Sequence, residues 1–385
     1  MKQIPMLDLR AEYEHMKPAI DAAIQACLEH QKWILGPEVK ALETALAAYL
    51  GVRHCIGTSS GTEALVLSLR ALAIVRTGRE YFDRGDLVIT TPFTFTATGD
   101  AILRSGATPV FVDIDPATCN LDPAGVRACL REHGAKVVGI VPVHLYGLSC
   151  DMDELMSLAT DHGIFVLEDV AQAFGGSWRG VKLGAVGTLG AFSFFPSKNL
   201  GGFGDGGLIS TNDDDLAAMA RMLLKHGGRD KYNVDHIGYN ARLDTLQAAV
   251  LLAKLGYIDE FNARRRSIAE RYLVGLQGVP GLSLPGTDER ASHVFHQFTI
   301  FTDRREELQQ HLAGLGVSTM VYYPFPLHKM KVFQGRSLVH RGVPQAEAVS
   351  ARVLSLPIEP LQSSEDTGRV VKAVAGFPHH RGAAG

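Results

Sequence analysis

Between residues 86 and 169 short apolar runs alternate with helical ones, and this rhythm restricts the fold more than any other feature of the chain. Residues 86–91 (DLVITT), 109–113 (PVFVD), 137–143 (VVGIVPV) and 163–169 (GIFVLED) read as strands. A helix follows Thr96 as far as Ser105-Gly106, and another spans residues 151–162. Strands spaced by helices predict an α/β domain built on a mostly parallel sheet. In such sheets ligands collect beyond the carboxyl ends of the strands. Residues 58–62, residues 93–96 and Asp169 fall at such ends, so a site is expected where they meet.

The flanking segments complete the outline. Residues 1–50 are mostly helical, and 38–50 are apolar at helical spacing with Gly51 closing them. Residues 213–226 form a further helix, and a long helical run extends from 239–244 to about Leu276. Amphipathic helices and short strands at 295–302 and 316–323 then suggest a smaller α+β domain. We place the boundary between 1–255 and 256–385, with the first stretch of the chain packing on the small domain. A chain of 385 residues is long enough for two domains.

Charge and cysteine usage exclude several classes. A net charge of −3 with no basic excess argues against a nucleic-acid partner. No window approaches the ~18 consecutive apolar residues of a membrane span. The first residues, MKQIPMLDLRAEYEH, lack the apolar core of a signal peptide. Cys27, Cys55, Cys119, Cys129 and Cys150 are odd in number and scattered, without C-x-x-C. That fits a reducing cytoplasm and does not fit a structural zinc site. The fifteen histidines contain no H-E-x-x-H, so no metal is expected.

The chemistry is concentrated in residues 192–207, FSFFPSKNLGGFGDGG. An aromatic strand end meets Pro196, which has no N–H to donate. Lys198 follows, and seven of the next nine residues are Gly, Asn or Asp, a composition that lets a larger group approach the backbone. A desolvated lysine there could form a Schiff base. A solvated surface lysine has the same local sequence. Gly202, Gly204 and Gly207 satisfy G-x-G-x-x-G, but they precede a strand (208–211) instead of opening a helix, so a dinucleotide site is rejected. Upstream, Ser59-Ser60-Gly61-Thr62 opens a helix whose free N–H groups could hold a phosphate. Ser60 with Glu63 also fits a plain capping box, the reading these residues favour when taken alone. Pyridoxal phosphate needs a lysine, a carboxylate on its ring nitrogen, an anion site, an aromatic face and a donor near its hydroxyl. Lys198, Asp169, Ser60–Thr62, Phe95 and Gln172 can supply these.

The motifs then carry a resemblance. They are S-S-G-T-E-A-L (59–65), P-F-T-F-T-A-T (92–98), G-A-T-P-V-F-V-D-I-D (106–115), E-D-V-A-Q-A (168–173), F-S-F-F-P-S-K-N-L (192–200), G-Y-N-A-R-L-D-T-L-Q-A-A (238–249) and Y-Y-P-F-P-L-H (322–328). In this order and over nearly the whole chain, they resemble the DegT/DnrJ/EryC1 sugar aminotransferases of the fold-type-I pyridoxal-phosphate enzymes. The resemblance implies an aspartate-aminotransferase-like large domain, a smaller C-terminal domain and a homodimer with shared sites. Lys198 would be the cofactor lysine and proton carrier, and Asp169 the partner of the ring nitrogen. Gln172, where the family often has His, would lie on the ring-hydroxyl side, and Phe95 would stack. Ser60, Gly61, Thr62 and Ser193 would hold the phosphate, with Asn240 reaching it from the neighbouring subunit. Arg242, Tyr322, Tyr323 and His328 would face the substrate. The implied reaction moves an amino group from L-glutamate or glutamine to C3 or C4 of a nucleotide-linked keto sugar, with 3-keto relatives the better match. Sugar dehydratases of the same kind place His at the lysine position, and a non-catalytic regulatory relative would need neither Lys198 nor Asp169. Residues 76–85 make the loop before DLVITT longer than expected, and no function follows from their sequence.

Overall fold

Each apolar run of the alternating region becomes a strand of one sheet in the computed structural model, which describes residues 3–230 and 232–378. In spatial order its eight strands are His54–Thr58, Gly207–Thr211, Leu189–Ser193, Phe165–Asp169, Val137–Val141, Leu87–Thr90, Thr108–Phe111 and Leu338–Val339. All pair in parallel except Gly207–Thr211, which is antiparallel to both neighbours. Alternate residues feed two separate cores. Ile89, Val110, Ile140 and Val166 meet Leu42 and Leu46 of the Pro37–Leu50 helix and Leu155 of the Met152–His162 helix. Val88, Val141, Phe165 and Leu167 meet the Gly61–Thr77 helix on the other face. Burial on both faces is why these strands are apolar throughout instead of alternating.

A second sheet of Leu282–Ser283, Phe298–Thr302 and Val353–Leu356 is antiparallel and three-stranded. It packs Phe298, Ile300, Leu354 and Leu356 against Tyr272 and Leu276 of the Ile258–Leu276 helix and Val370 of the Ser364–Ala375 helix. Ile4 belongs to this core and bridges Val317, before the Leu9–His30 helix turns to the Thr245–Leu255 helix. A buried ion pair, Glu12 to Lys254 at 2.5 Å, joins those two helices.

Three expectations need correction. Residues 316–323 make only isolated bridges, Val317 to Ile4 and Met320 to Ser355. The chain passes from one partner to another too quickly to build a ladder, and Pro324 and Pro326 stop it. The helical run to Leu276 is two helices, Thr245–Leu255 and Ile258–Leu276, broken at Gly256 and Tyr257. The helix expected at 213–226 ends earlier, as Asp214–Leu223. Among the described residues no helix is long and apolar enough to cross a membrane.

Candidate active site

The parallel sheet brings its carboxyl ends level, with Asp169 paired to Ala191 and Thr90 to both Val141 and Phe111. Asp169 is the last residue of its strand and is 4% exposed. Thr98 Oγ1 donates to its Oδ2 at 2.8 Å, and the Ala171 N–H donates to Oδ1 at 3.2 Å. Burial raises its pKa against the pull of these donors and of the Lys198 charge. Lys198 lies on the loop after Leu189–Ser193, where its N–H closes a turn on the Phe195 carbonyl at 2.8 Å. Part of its surface is open, yet the protein crowding its amine lowers its pKa to about 8, against the attraction of Asp169. Two groups 29 residues apart in sequence thus come within electrostatic reach of each other in poorly solvated surroundings.

A buried layer fixes Asp169 from behind. The Glu168 carboxylate, fully buried, accepts N–H bonds from Gly184, Val186 and Gly187 at 2.7–2.9 Å. It also lies 3.0 Å from His144 Nε2. The Cys150 N–H points at His144 Nδ1 at 3.1 Å, so the one ring proton faces Glu168. The His144 backbone N–H donates to the Asp169 carbonyl at 3.1 Å. Next to Lys198, Asn199 donates to Asn262 at 2.7 Å and contacts the buried His296 at 3.1 Å. Burial, with the nearby Lys198 and Arg265 charges, keeps His296 neutral by lowering its pKa.

Aromatic groups stand near Asp169, Tyr323 among them. Gln172 accepts from the Tyr146 N–H at 2.8 Å and donates to the Tyr323 hydroxyl at 2.9 Å. Tyr322 offers its carbonyl to the Tyr146 hydroxyl. Phe95, 56% exposed, has its ring centre 6.1 Å from that of Tyr323. An aromatic this exposed, beside a buried acid, leaves a face open to a planar group.

The Gly61–Thr77 helix begins against the same ends. Ser60 caps it by accepting the Glu63 N–H at 3.1 Å, while the Glu63 carboxylate pairs with Arg104 at 2.9 Å. Only half of the capping box therefore forms. The N–H groups of Gly61 and Thr62 have no intrahelical acceptor. A Cβ on Gly61 would sit 2.6 Å from the Ser193 Cβ, so glycine lets the helix start approach Ser193. The loop glycines behave differently from expectation. A Cβ on Gly202 or Gly204 would meet the Gln247 side chain at 2.8 and 2.9 Å, and Gln247 accepts the Phe203 N–H at 2.8 Å. The open backbone accommodates the chain's own Gln247.

Asn240 is exposed and makes no side-chain hydrogen bond among the described residues, and the cap position of the next helix is Asp244. Arg242 bridges Thr58 and has a buried Nε without a partner among the described residues. His328 contacts Glu347 at 2.9 Å and is not brought to Asp169 and Lys198 by any bond. Two histidine clusters come within ligand range of one another, Cys27–His30–Glu38 and Glu132–His133–His340. In the first, His30 Nδ1 accepts the Lys32 N–H, so Nε2 carries the proton and is closed to a metal. Sequence reasoning missed Thr98, although it ends the P-F-T-F-T-A-T motif. Its contact with Asp169 spans 71 residues and no local pattern announces it.

The chain matches the model of the DegT/DnrJ/EryC1/StrS aminotransferase family over residues 14–375. It is 43% identical to a pleiotropic regulatory protein of Geobacillus stearothermophilus, over 98% of this chain and 99% of that one. It is 42% identical to the dTDP-3-amino-3,4,6-trideoxy-alpha-D-glucose transaminase of Streptomyces venezuelae, over 97% and 95%. Among solved structures, S. venezuelae DesV in complex with a ketimine intermediate superposes with a TM-score of 0.92 at 41% identity, covering 98% of both chains. NtdA of Bacillus subtilis with bound cofactor PMP gives 0.87 at 31%, covering 97% of this chain and 85% of that one.

Proposed function

The chain belongs to the DegT/DnrJ/EryC1/StrS aminotransferase family, whose members depend on pyridoxal phosphate, and from this premise we propose that it moves an amino group from L-glutamate to the C3 keto group of a nucleotide-linked sugar. The observation that carries the reading is the buried Asp169 carboxylate beside an amine of lowered basicity, Lys198. Support for C3 comes from the 3-amino-sugar transaminase of S. venezuelae.

The residues fit the cofactor. Asp169 Oδ2 accepts only from Thr98, so the carboxylate retains lone pairs for a ring N–H. Phe95 offers a face, and Gly61, Thr62 and Ser193 offer donors for a phosphate. Bound there, pyridoxal phosphate supplies a protonated ring that accepts an electron pair from the substrate. Asp169 keeps that nitrogen protonated. Lys198 Nζ would hold the cofactor through its aldehyde and, once released, would take the proton from, or return it to, the substrate carbon that bears the nitrogen. Gln172 fixes Tyr323 over the site, and Tyr322, Arg242 and His328 complete the substrate side. We place the division between domains at 255/256, between the Thr245–Leu255 and Ile258–Leu276 helices. The proposed homodimer shares its sites, with Asn240 reaching the partner's phosphate. Its support is an exposed Asn240, whose side chain makes no hydrogen bond among the described residues, on a loop whose Tyr232, Val234 and Ile237 are 58–83% exposed; Lys231 of that loop lies outside the described residues. The five buried thiols support a reducing cytoplasm.

The experiment is a panel of 3-keto and 4-keto nucleotide sugars incubated with glutamate or glutamine, reading 2-oxoglutarate and amino sugar. Amination at C3 with glutamate is expected, and Lys198→Ala should abolish it. Amination at C4 alone would overturn the regiochemistry. The regulatory relative from Geobacillus favours a second reading, a non-catalytic role. Visible absorbance that bleaches with glutamate separates the two, since a non-catalytic protein has no use for that exchange.

A further inference from the structure

The 76–85 stretch meets the Asn240 segment at a buried guanidinium. Arg70 sits mid-way along the Gly61–Thr77 helix and is wholly buried. Its Nε donates to the Glu80 carbonyl at 2.6 Å and one Nη to the Glu80 carboxylate at 2.9 Å. The same fork donates to the Ile237 carbonyl at 3.1 Å and to the Tyr239 hydroxyl at 2.9 Å. Tyr81 stacks on the guanidinium at 3.7 Å. The other Glu80 oxygen contacts His236 Nδ1 at 2.5 Å. Arg70 thus spends four donor contacts on two loops, each also tied to the body elsewhere: the first by the Phe82 N–H on the Ser105 carbonyl at 2.9 Å, the second by the Tyr239 N–H on the Leu223 carbonyl at 2.8 Å. A planar fork fixes direction as well as distance, so it sets where residues 236–239 leave the body of the protein. Asn240 is the next residue.

We propose that Arg70, Glu80 and Tyr81 form a brace that aims the 236–242 segment, and that Glu80 is therefore a positioning residue for the active site of the other subunit. The turn that follows the helix end at Thr77 carries Glu80 and Tyr81 back to Arg70. The inference rests on the shared-site reading above. It adds that one helix serves both sites, holding its own phosphate at Gly61 and, through Arg70, aiming Asn240 at the partner's.

The test uses mixed dimers of the full chain, co-expressed with two tags and purified through both. A control pair of Lys198→Ala with Asn240→Ala comes first; it should recover about half of the wild-type rate per dimer, and failure there sinks the shared site itself. Glu80→Ala homodimers should bind pyridoxal phosphate about tenfold more weakly, the size of losing one charge-assisted hydrogen bond. Glu80→Ala paired with Lys198→Ala should recover like the control, because the intact lysine then meets an intact arm. Glu80→Ala paired with Asn240→Ala should not recover, since both arms are damaged. If the control recovers and Glu80→Ala with Lys198→Ala stays weak, Glu80 acts within its own subunit and the brace is wrong. Wild-type affinity in the Glu80→Ala homodimer overturns it too. Should Glu80→Ala fail to fold, Tyr239→Phe takes its place in every pairing, since it keeps the Arg70–Glu80 pair and removes one arm contact.

Discussion

At Lys198 the balance between burial and attraction sets a pH dependence. Its pKa lies near 8, below the ordinary 10.5, because desolvation outweighs the pull of Asp169. Cofactor-free protein should therefore react with pyridoxal phosphate faster as pH rises through about 8, with the rate levelling off above it. Absorbance after rapid mixing measures this. Asp169→Asn removes the charge that holds the pKa up, so the midpoint should move to lower pH; an upward move would contradict the assignment. The same shift has a stability sign. The unfolded chain binds more protons between the two pKa values, so this group's contribution to stability increases with pH across that window. Asp169 and Lys198 stood out in sequence through the motifs around them, since a lysine after Pro196 reads locally as a surface residue just as well. Thr98 and Gln247 did not, because each acts through a partner distant in sequence.

Among the elements, the start of the Gly61–Thr77 helix has the least slack. In Gly61→Ala the new methyl would lie 2.6 Å from the Ser193 Cβ, so the helix start must move away from the sheet ends. We expect a loss of about 1–3 kcal/mol from overpacking, read as melting temperature, together with weaker cofactor binding by titration. Gly256→Ala is the control, with nothing within 4 Å of its Cβ, and should change neither. The main strands were legible because burial on both faces leaves an unbroken apolar run. Residues 316–323 are apolar enough to mislead, yet their two bridges go to different partners. Leu338–Val339 is too short to show any period.

Over the whole molecule, the strand–helix alternation was readable, while the contacts that tie distant segments were not. Arg70 to Tyr239 spans 169 residues, and only the folded chain brings Glu80 to the same guanidinium. Leu338–Val339 is the farthest case: it pairs with Val110 and Phe111 and finishes the edge of a sheet otherwise made from the first 211 residues. Synthesis runs from the amino end, so the strand at 108–111 waits on the ribosome with one side of its backbone unpaired. Open edges of this kind recruit other chains. Nascent chains arrested at residue 330 should therefore cross-link to one another, or to a chaperone, through that strand, and chains arrested beyond residue 378 should not. Equal cross-linking at both lengths would show that the edge is guarded some other way. On this view the late segment works as a clasp, and the vulnerable period of the protein's life is the interval before it closes.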